Sequence, residues 1–341
     1  MIPALVPCTL VLLRGLRAGR LALTLCVAGF VLTLGAASQA ADVWPTRPLK
    51  MIVAFPPGGG ADVSARLVMQ RLGDVLGQPV VIENRVGANG AIGAEAVVRA
   101  PADGHTLLFG SSANITINPH LMRLAYDPMK DLSPVAMVAF SPLLLFVNPT
   151  LIPVSTVREL VDYARARPDQ VNYASGGNGS QGHLAAELLN LLAGTRMVHV
   201  PYKGGPPAVN DVLAGQIGVS FAAAPAVLPY TRAGRLRGLA TTGAARSAFA
   251  PEIPTIAESG YPDFDVVIWN GVFAPAAMPA ALVARLHAEI TRVLGMPDIR
   301  EALLRSGAEP MPLSQDALGR YLRTDYERWA KVIRLAKVTI D

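Results

Sequence analysis

Short apolar runs alternate along this chain with longer stretches in which apolar residues return every three or four positions. Residues 49–55 are apolar apart from Lys50, which predicts a strand. Beyond the turn Pro56-Pro57-Gly58-Gly59-Gly60, the residues Ala65, Val68, Leu72 and Val75/Leu76 share one helical face. A second strand at 80–83, a helix at 91–99 and a third strand at 106–109 follow. The order β-α-β-α-β predicts a parallel sheet, whose ligands gather at the carboxyl ends of its strands. Segments 55–62 and 110–114 both lie at that end.

The runs 132–140 and 143–147, split by Ser141-Pro142, read as a pair of strands leaving this first unit. A second series then begins. It has a helix at 156–167, a strand at 171–174, a glycine loop at 175–180 and a helix at 181–193 with Leu184, Leu188, Leu191 and Leu192 on one face. Strands at 197–200, 217–221 and 236–241 and a helical stretch at 208–213 complete it. Run 264–273 reads as a strand crossing back. Helices at 280–294 and 315–336 end the chain, the last with Leu322, Tyr326, Trp329 and Ile333 on one face. Three connecting strands predict two lobes joined by a hinge.

Two strand-to-helix junctions in this pattern are glycine-rich, at 58–60 and at 176–179. Glycine lets the backbone curl and leaves its N–H groups uncovered. The following helix adds unpaired N–H groups and the positive end of its dipole. Such places attract anions, so two of them predict a two-lobed receptor for a small acid. No Gly-Lys-Ser/Thr follows the first loop, which excludes a P-loop.

Composition removes other classes. Arg14, Arg17 and Arg20 precede the apolar run 21–34, and Ser38-Gln39-Ala40 offers a small-residue cleavage site. This predicts a cleaved signal peptide over 1–40, with an uncleaved anchor as the alternative. Cys26 follows Leu25, where a lipidation site wants a small residue. The leader holds three arginines and no acid, so the formal charge of +5 falls to +2 without it. No dense basic run remains for nucleic acid. Both cysteines, Cys8 and Cys26, lie in the leader, so no disulfide is expected in the mature chain. His105 and His120 are far apart, with no cysteine or HExxH pattern beside them, so no metal or cofactor is expected. Ser180 and His183 read as a capping serine and a first-turn histidine rather than a nucleophile and base, and no Gly-x-Ser-x-Gly elbow is present.

Several motifs in register then carry a resemblance. They are Trp44-Pro45-x-Arg47-Pro48, Phe55-x-Pro57-Gly58-Gly59-x-x-Asp62, Glu83-Asn84-Arg85-x-Gly87-Ala88, Ala102-Asp103-Gly104-x-Thr106, Ser175-Gly176-x-x-Gly179-Ser180-x-x-His183 and Pro201-Tyr202-Lys203-Gly204. Together they resemble the Bug-type solute receptors, the extracytoplasmic receptors of tripartite tricarboxylate transporters. The resemblance implies an α/β fold, the two-lobed periplasmic binding protein (type II-like), with a hinge and a ligand cleft between the lobes. Lobe one would comprise 41–142 and 270–341, and lobe two 143–269. It implies a first-lobe carboxylate clamp at Phe55, Gly59, Gly60, Ala61 and Asp62, with Ser112 and Asn114 on the same side. Asn178 and Ser180 would face them, and Tyr202 and Lys203 would lie near the mouth. Many relatives carry an aspartate after the phenylalanine corresponding to Phe221; here Ala222 offers no charge to a ligand ammonium.

The expected function is a periplasmic, monomeric, non-enzymatic receptor that captures a small carboxylate and delivers it to integral membrane transporter subunits. Two amide-rich loops favour a di- or tricarboxylate that bridges the lobes over an amino acid; a monocarboxylate is the contrary reading. A sensor subunit for a membrane kinase, and an enzyme on the same fold, remain the alternatives. Asp62 is expected either to contact the ligand or to complement the helix dipole, and Lys203 either to draw acids in or to be a solvated loop charge.

Overall fold

The structure, a computed structural model, describes residues 44–340. The expected leader at 1–40 and the start of the expected first lobe, 41–43, lie outside the described residues. The chain divides into two compact units, Met1–Thr46 and Arg47–Asp341, and the sheet, helices and cavity below belong to the second.

The first β/α series is β1 (Leu49–Val53), α1 (Gly60–Leu76), β2 (Val80–Asn84), α2 (Ala91–Val98) and β3 (Thr106–Ser111). After β3 the chain makes a wide helical turn, Ala113–Ile117, and two short helices before β4 (Leu132–Val147). The second series is α3 (Val157–Arg165), β5 (Asn172–Ser175), α4 (Gln181–Ala193), β6 (Val198–Pro201), α5 (Gly205–Leu213), β7 (Val219–Ala223), α6 (Ala224–Arg232) and β8 (Arg237–Thr241). The chain returns through β9 (Val267–Pro275) and ends in α7 (Ala280–Leu294), α8 (Pro297–Arg305), β10 (Glu309–Pro310) and α9 (Gln315–Ala336).

The strands form two half-sheets of matching topology. In the first, β1 lies parallel between β2 and β3, and antiparallel β9 and β4 follow, giving the order β2-β1-β3-β9-β4. In the second, β5 lies parallel between β6 and β7, and β4 separates β7 from β8, giving β6-β5-β7-β4-β8. Each glycine loop follows the first strand of a βαβαβ unit. This places both at the carboxyl edges of their half-sheets, where such folds bind ligands.

The expected strand pair at 132–147 is one strand of 16 residues, β4, which both half-sheets share. Proline normally ends a strand because it lacks an N–H. Pro142 sits where β4 changes partners: it faces Val267 at the start of β9, and Leu143 already pairs with Ala223 of β7. The missing donor therefore falls at a junction between ladders. Helix α6 was not legible, because Pro225 and Pro229 lie within it. Pro225 is tolerated in the first turn, where its N–H would have had no partner inside the helix.

Three apolar clusters hold these layers. One packs Ile52, Leu108, Trp269 and Phe273 of the first half-sheet against Ala94 and Val97 of α2 and Leu318 and Leu322 of α9. A second joins Leu143, Leu145, Tyr173 and Val219 to α3, α4 and Trp329, Val332 and Ile333 of α9. The third covers the opposite face, with Leu144, Phe146 and Ala174 under α5 and α6. Helix α9 is about 33 Å long at 1.5 Å per residue. Its first half packs on one half-sheet and its second half on the other, as its apolar stripe requires.

Candidate functional site

At the first glycine loop, β1 ends at Val53 and α1 starts at Gly60 with Gly59 as its N-cap and no side-chain cap. The Gly59 N–H turns back to Pro56 O at 3.3 Å. The N–H groups of Gly60 and Ala61, in the first helical turn, have no partner inside the helix. Gly58 has φ +77°, a conformation glycine adopts at little cost.

Asp62 holds this loop in shape. It is 2% exposed, and its carboxylate accepts from Gly58 N–H (2.9 Å), Arg66 Nε and Nη2 (2.9 and 3.0 Å) and Asn84 Nδ2 (2.8 Å). Asn84 Nδ2 also donates to Phe55 O at 2.9 Å, tying the end of β2 to the loop. Arg66, then Gly58 N–H and Asn84, keep the carboxyl ionised down to about pH 2 against the opposing effect of burial. A carboxylate with four protein donors has no lone pair left to direct at an acid ligand. Asp62 therefore fixes the shape of the loop.

The loop faces a cavity of about 390 Å³, within the range of roughly 300–1,000 Å³ usual for small-ligand sites. Phe55, Pro56, Gly59, Gly60, Ala61 and Ser64 form one wall, with Asn89, Ser111 and Ala113 beside them. Ile268 and Asn270 of β9 and Ser141 of β4 form the floor. Gln181 at the start of α4, Ala223 at the end of β7, and Ser306 and Ala308 between α8 and β10 close it. No lining residue carries a charged side chain.

Of the residues expected to bind, Phe55, Gly59, Gly60 and Ala61 line this cavity. Ser111, the last residue of β3, lines it rather than Ser112, where the backbone has already turned helical. Ser112 is fully buried and accepts from Gln181 Nε2 at 3.0 Å, a bond from the start of α4 to the end of β3. Asn114 is buried too: it accepts from Ser111 N–H (2.8 Å) and donates to Gly90 O (3.2 Å), so its amide braces the turn. Ala223 rather than Ala222 lines the cavity, and Ala222 packs against the Leu144–Phe146 cluster on the other face.

The second glycine loop departs most from expectation. Its N–H groups are largely satisfied within the loop. Gly177 N–H donates to Ser175 Oγ (3.1 Å), Gly179 N–H to His183 Nδ1 (3.1 Å) and Ser180 N–H to Gly177 O (3.1 Å). The Ser180 hydroxyl caps α4 by accepting from His183 N–H. Asn178 and Lys203 are exposed and lie outside the cavity lining, and the Tyr202 hydroxyl donates to Asp211 Oδ2 at 2.7 Å. Asn178, Ser180, Tyr202 and Lys203 are not among the residues that line the cavity, although Ser180 directly precedes the lining residue Gln181.

Beneath this loop His183 and His199 stack at 3.7 Å between ring centres, with Tyr173 at 5.1 Å from His199. His199 Nε2 lies 2.6 Å from Ser175 Oγ, and Tyr173 donates to Glu187 at 2.6 Å. Burial, with His199 alongside, lowers the His183 pKa to about 4, and burial lowers that of His199 to about 4. The Gly179 N–H donated to Nδ1 requires a neutral His183 ring.

Sequence reasoning missed Ser64, Asn89, Ser141, Gln181, Ile268, Asn270, Ser306 and Ala308. Ser64 had a local signal, four residues after Gly60 and hence on the same helical face. The others come from distant segments that only the fold brings together. Among the described residues no group of three or more His, Cys, Asp or Glu is placed to hold a metal ion, and no helix is long and apolar enough to cross a membrane.

Residues 64–338 match the model of the tripartite tricarboxylate transporter family receptor. Protein BugT of Bordetella pertussis is 41% identical over 308 residues, covering 89% of this chain and 94% of that protein. The structure of an R. palustris protein with adipate superposes with a TM-score of 0.72 at 37% identity, over 87% of this chain and 99% of that one. MatC from Rhodopseudomonas palustris with bound malate gives 0.69 at 33% identity, over 85% and 100%. The two half-sheets are therefore the lobes of a periplasmic binding protein fold, and the chain belongs to the tripartite tricarboxylate transporter receptor family, among the Bug-type solute-binding proteins.

Proposed function

We propose that this protein is an extracytoplasmic receptor that captures a small organic carboxylate between its lobes and delivers it to the integral membrane subunits of a tripartite transporter. One observation carries the reading. The cavity holds no charged side chain, yet Gly60 and Ala61, at the start of α1, line it together with Ser64 and Ser111. Neutral donors and a helix start hold a carboxylate without a cation. The relatives with adipate and with malate support the same class. Lobes at 41–142 with 270–341 and at 143–269 would close about the crossing strands, as a monomer in the periplasm after loss of 1–40. Phe55, Gly59, Gly60 and Ala61, with Ser64 and Ser111, would contact the carboxylate; Asp62 would shape the clamp.

Calorimetry of the purified protein against acetate-like, dicarboxylate, aromatic and amino acids tests the binding role. Micromolar or tighter binding of a carboxylate, weakened about ten- to a hundredfold by Ser111→Ala, is expected for loss of a charged hydrogen bond. Binding of an uncharged sugar with no carboxylate binding would overturn it. Uptake of the bound acid by cells with and without the receptor tests delivery.

A further inference from the structure

The second glycine loop is built on a pair of histidines. His183, in the first turn of α4, accepts the Gly179 N–H at its Nδ1 (3.1 Å). His199 of β6 stacks on that ring, and its Nε2 lies 2.6 Å from Ser175 Oγ. The Ser175 hydroxyl in turn meets both the N–H and the carbonyl of Gly177 at 3.1 Å. One ring therefore holds the last part of the loop. The other, through Ser175, holds the first part.

The loop so shaped is also a contact between the half-sheets. A Cβ at Gly179 would lie 2.6 Å from Leu121 Cδ1, so the loop rests directly on the short helix Asn118–Leu121 that follows β3. Two residues on, Gln181 lines the cavity and donates to Ser112 Oγ at 3.0 Å. The turn at Gly179 thus sets where α4 starts and where Gln181 meets the first half-sheet.

A protonated Nδ1 carries a hydrogen and would face the Gly179 N–H donor to donor. That is more than a lost bond, because the repulsion is relieved only by moving the turn. No carboxylate pairs with either ring among the described residues, and burial holds both near 4. Tyr173 of β5 stacks on His199 and donates to Glu187 of α4 (2.6 Å), which also accepts from Asn190 Nδ2 (3.4 Å). Strand β7, packed on Gly182, has no titratable side chain. Beyond β6, Tyr202 turns to Asp211 (2.7 Å) and Lys203 is exposed. From the first half-sheet, His120 is bonded to Tyr326 O (3.1 Å). Arg328 and Lys331 of α9 lie along the C-terminal half of α4, with Leu191 and Leu192.

We propose that His183 and His199 are positioning residues for ligand binding, and that protonating the pair frees the second loop, parts Gln181 from Ser112 and releases the ligand. This rests on the carboxylate-receptor reading above and adds a control by pH. The closed form selects neutral rings. Affinity is therefore complete above the ordinary histidine value of 6.5 and is lost as pH falls towards 4. An opened loop that returns one ring to its ordinary value gives a loss of about tenfold at pH 5.

Two measurements at pH 7 and pH 5 test it. Hydrogen exchange read by mass spectrometry follows the loop, and calorimetry with adipate, malate, benzoate and glutamate follows affinity. Peptides covering 175–182 should lose protection about tenfold at pH 5, while β1 and β3 keep theirs. The tightest-bound acid should weaken about tenfold relative to its binding by His183→Asn, whose carbonyl replaces Nδ1 as acceptor and does not titrate. The acid's own titration is common to both proteins and cancels. His183→Ala, which lacks the acceptor, should bind more weakly than His183→Asn at both pH values. If His183→Asn fails to fold, His199→Gln, which keeps a partner for Ser175, should shrink the pH dependence several-fold. The same pH dependence in parent and variant overturns the proposal and leaves the carboxylate receptor standing. A loop that opens at pH 5 without loss of affinity relative to the variant also overturns it. No binding by any of the four acids at pH 7, with a non-acid ligand found by native mass spectrometry, overturns the receptor reading itself; the exchange measurement then decides whether the histidines hold the loop.

Discussion

Asp62 and the stacked histidines carry their information in protonation. The Asp62 carboxyl is held at about 2, below its ordinary 3.8, chiefly by Arg66. A depressed pKa means that the stabilisation is complete above the unfolded value and is lost as pH falls through 2. The shift corresponds to roughly 2 kcal/mol, and screening at the half-exposed Arg66 reduces this to about 1–2. Asp62→Asn should lower stability at pH 7 by that amount in urea titrations, with the difference from the parent shrinking towards pH 2. His183 and His199 work the same way in a higher window. Both pKa values lie near 4, below the ordinary 6.5, so the folded state prefers neutral rings. Their stabilisation is complete above about pH 6.5 and is lost as pH falls towards 4. His199→Gln should flatten the fall in melting temperature between pH 6.5 and 4; an equally steep fall would mean that other groups carry it.

At the scale of the element, helix α4 shows how a motif can be satisfied from within. Ser180 was expected to meet a carboxylate across the cleft, but its hydroxyl accepts from His183 N–H and the loop before it bonds to itself. Ser180→Ala should therefore cost about 1 kcal/mol of stability as a lost N-cap, with carboxylate affinity changed less than threefold by calorimetry. The helix is also pressed onto its sheet. A Cβ at Gly182 would lie 2.5 Å from Phe221 O, a backbone atom that cannot swing aside. Gly182→Ala should destabilise by about 1–3 kcal/mol through overpacking. Because Gln181 precedes it and bonds to Ser112, the same change should weaken ligand binding.

At the scale of the molecule, contacts beside the cavity tie the second half-sheet to the first. Glu309 of β10 accepts from the Ser247 hydroxyl (2.7 Å) and Ala248 N–H (3.1 Å), and Pro225 of α6 lies where any side chain at Gly307 would sit. If the lobes open to release ligand, these contacts part. Glu309→Ala should raise the ligand dissociation rate by up to about tenfold, the worth of charged hydrogen bonds at a partly exposed site. The association rate should change little, and stopped-flow fluorescence separates the two.

The sequence by itself determined most of the order of elements, though not the single strand β4 or helix α6, and the family. Strand period, glycine-rich junctions and the apolar stripe of α9 are local patterns, and local physics sets them. It also placed Gly59, Gly60 and Ala61, which line the cavity, at the start of a helix. Only the tertiary structure decided where β3 ends and the chain turns helical, so that Ser111 and not Ser112 lines the cavity. It decided that Asp62 turns inward to Arg66 and Asn84, and that His183 takes the Gly179 N–H that had looked free for a ligand. It brought Ser141, Asn270 and Ser306 together across more than a hundred residues of chain. A helix start attracts an anion by its local charge, but whether that charge is left for a ligand depends on partners supplied by packing, which no short stretch of sequence encodes.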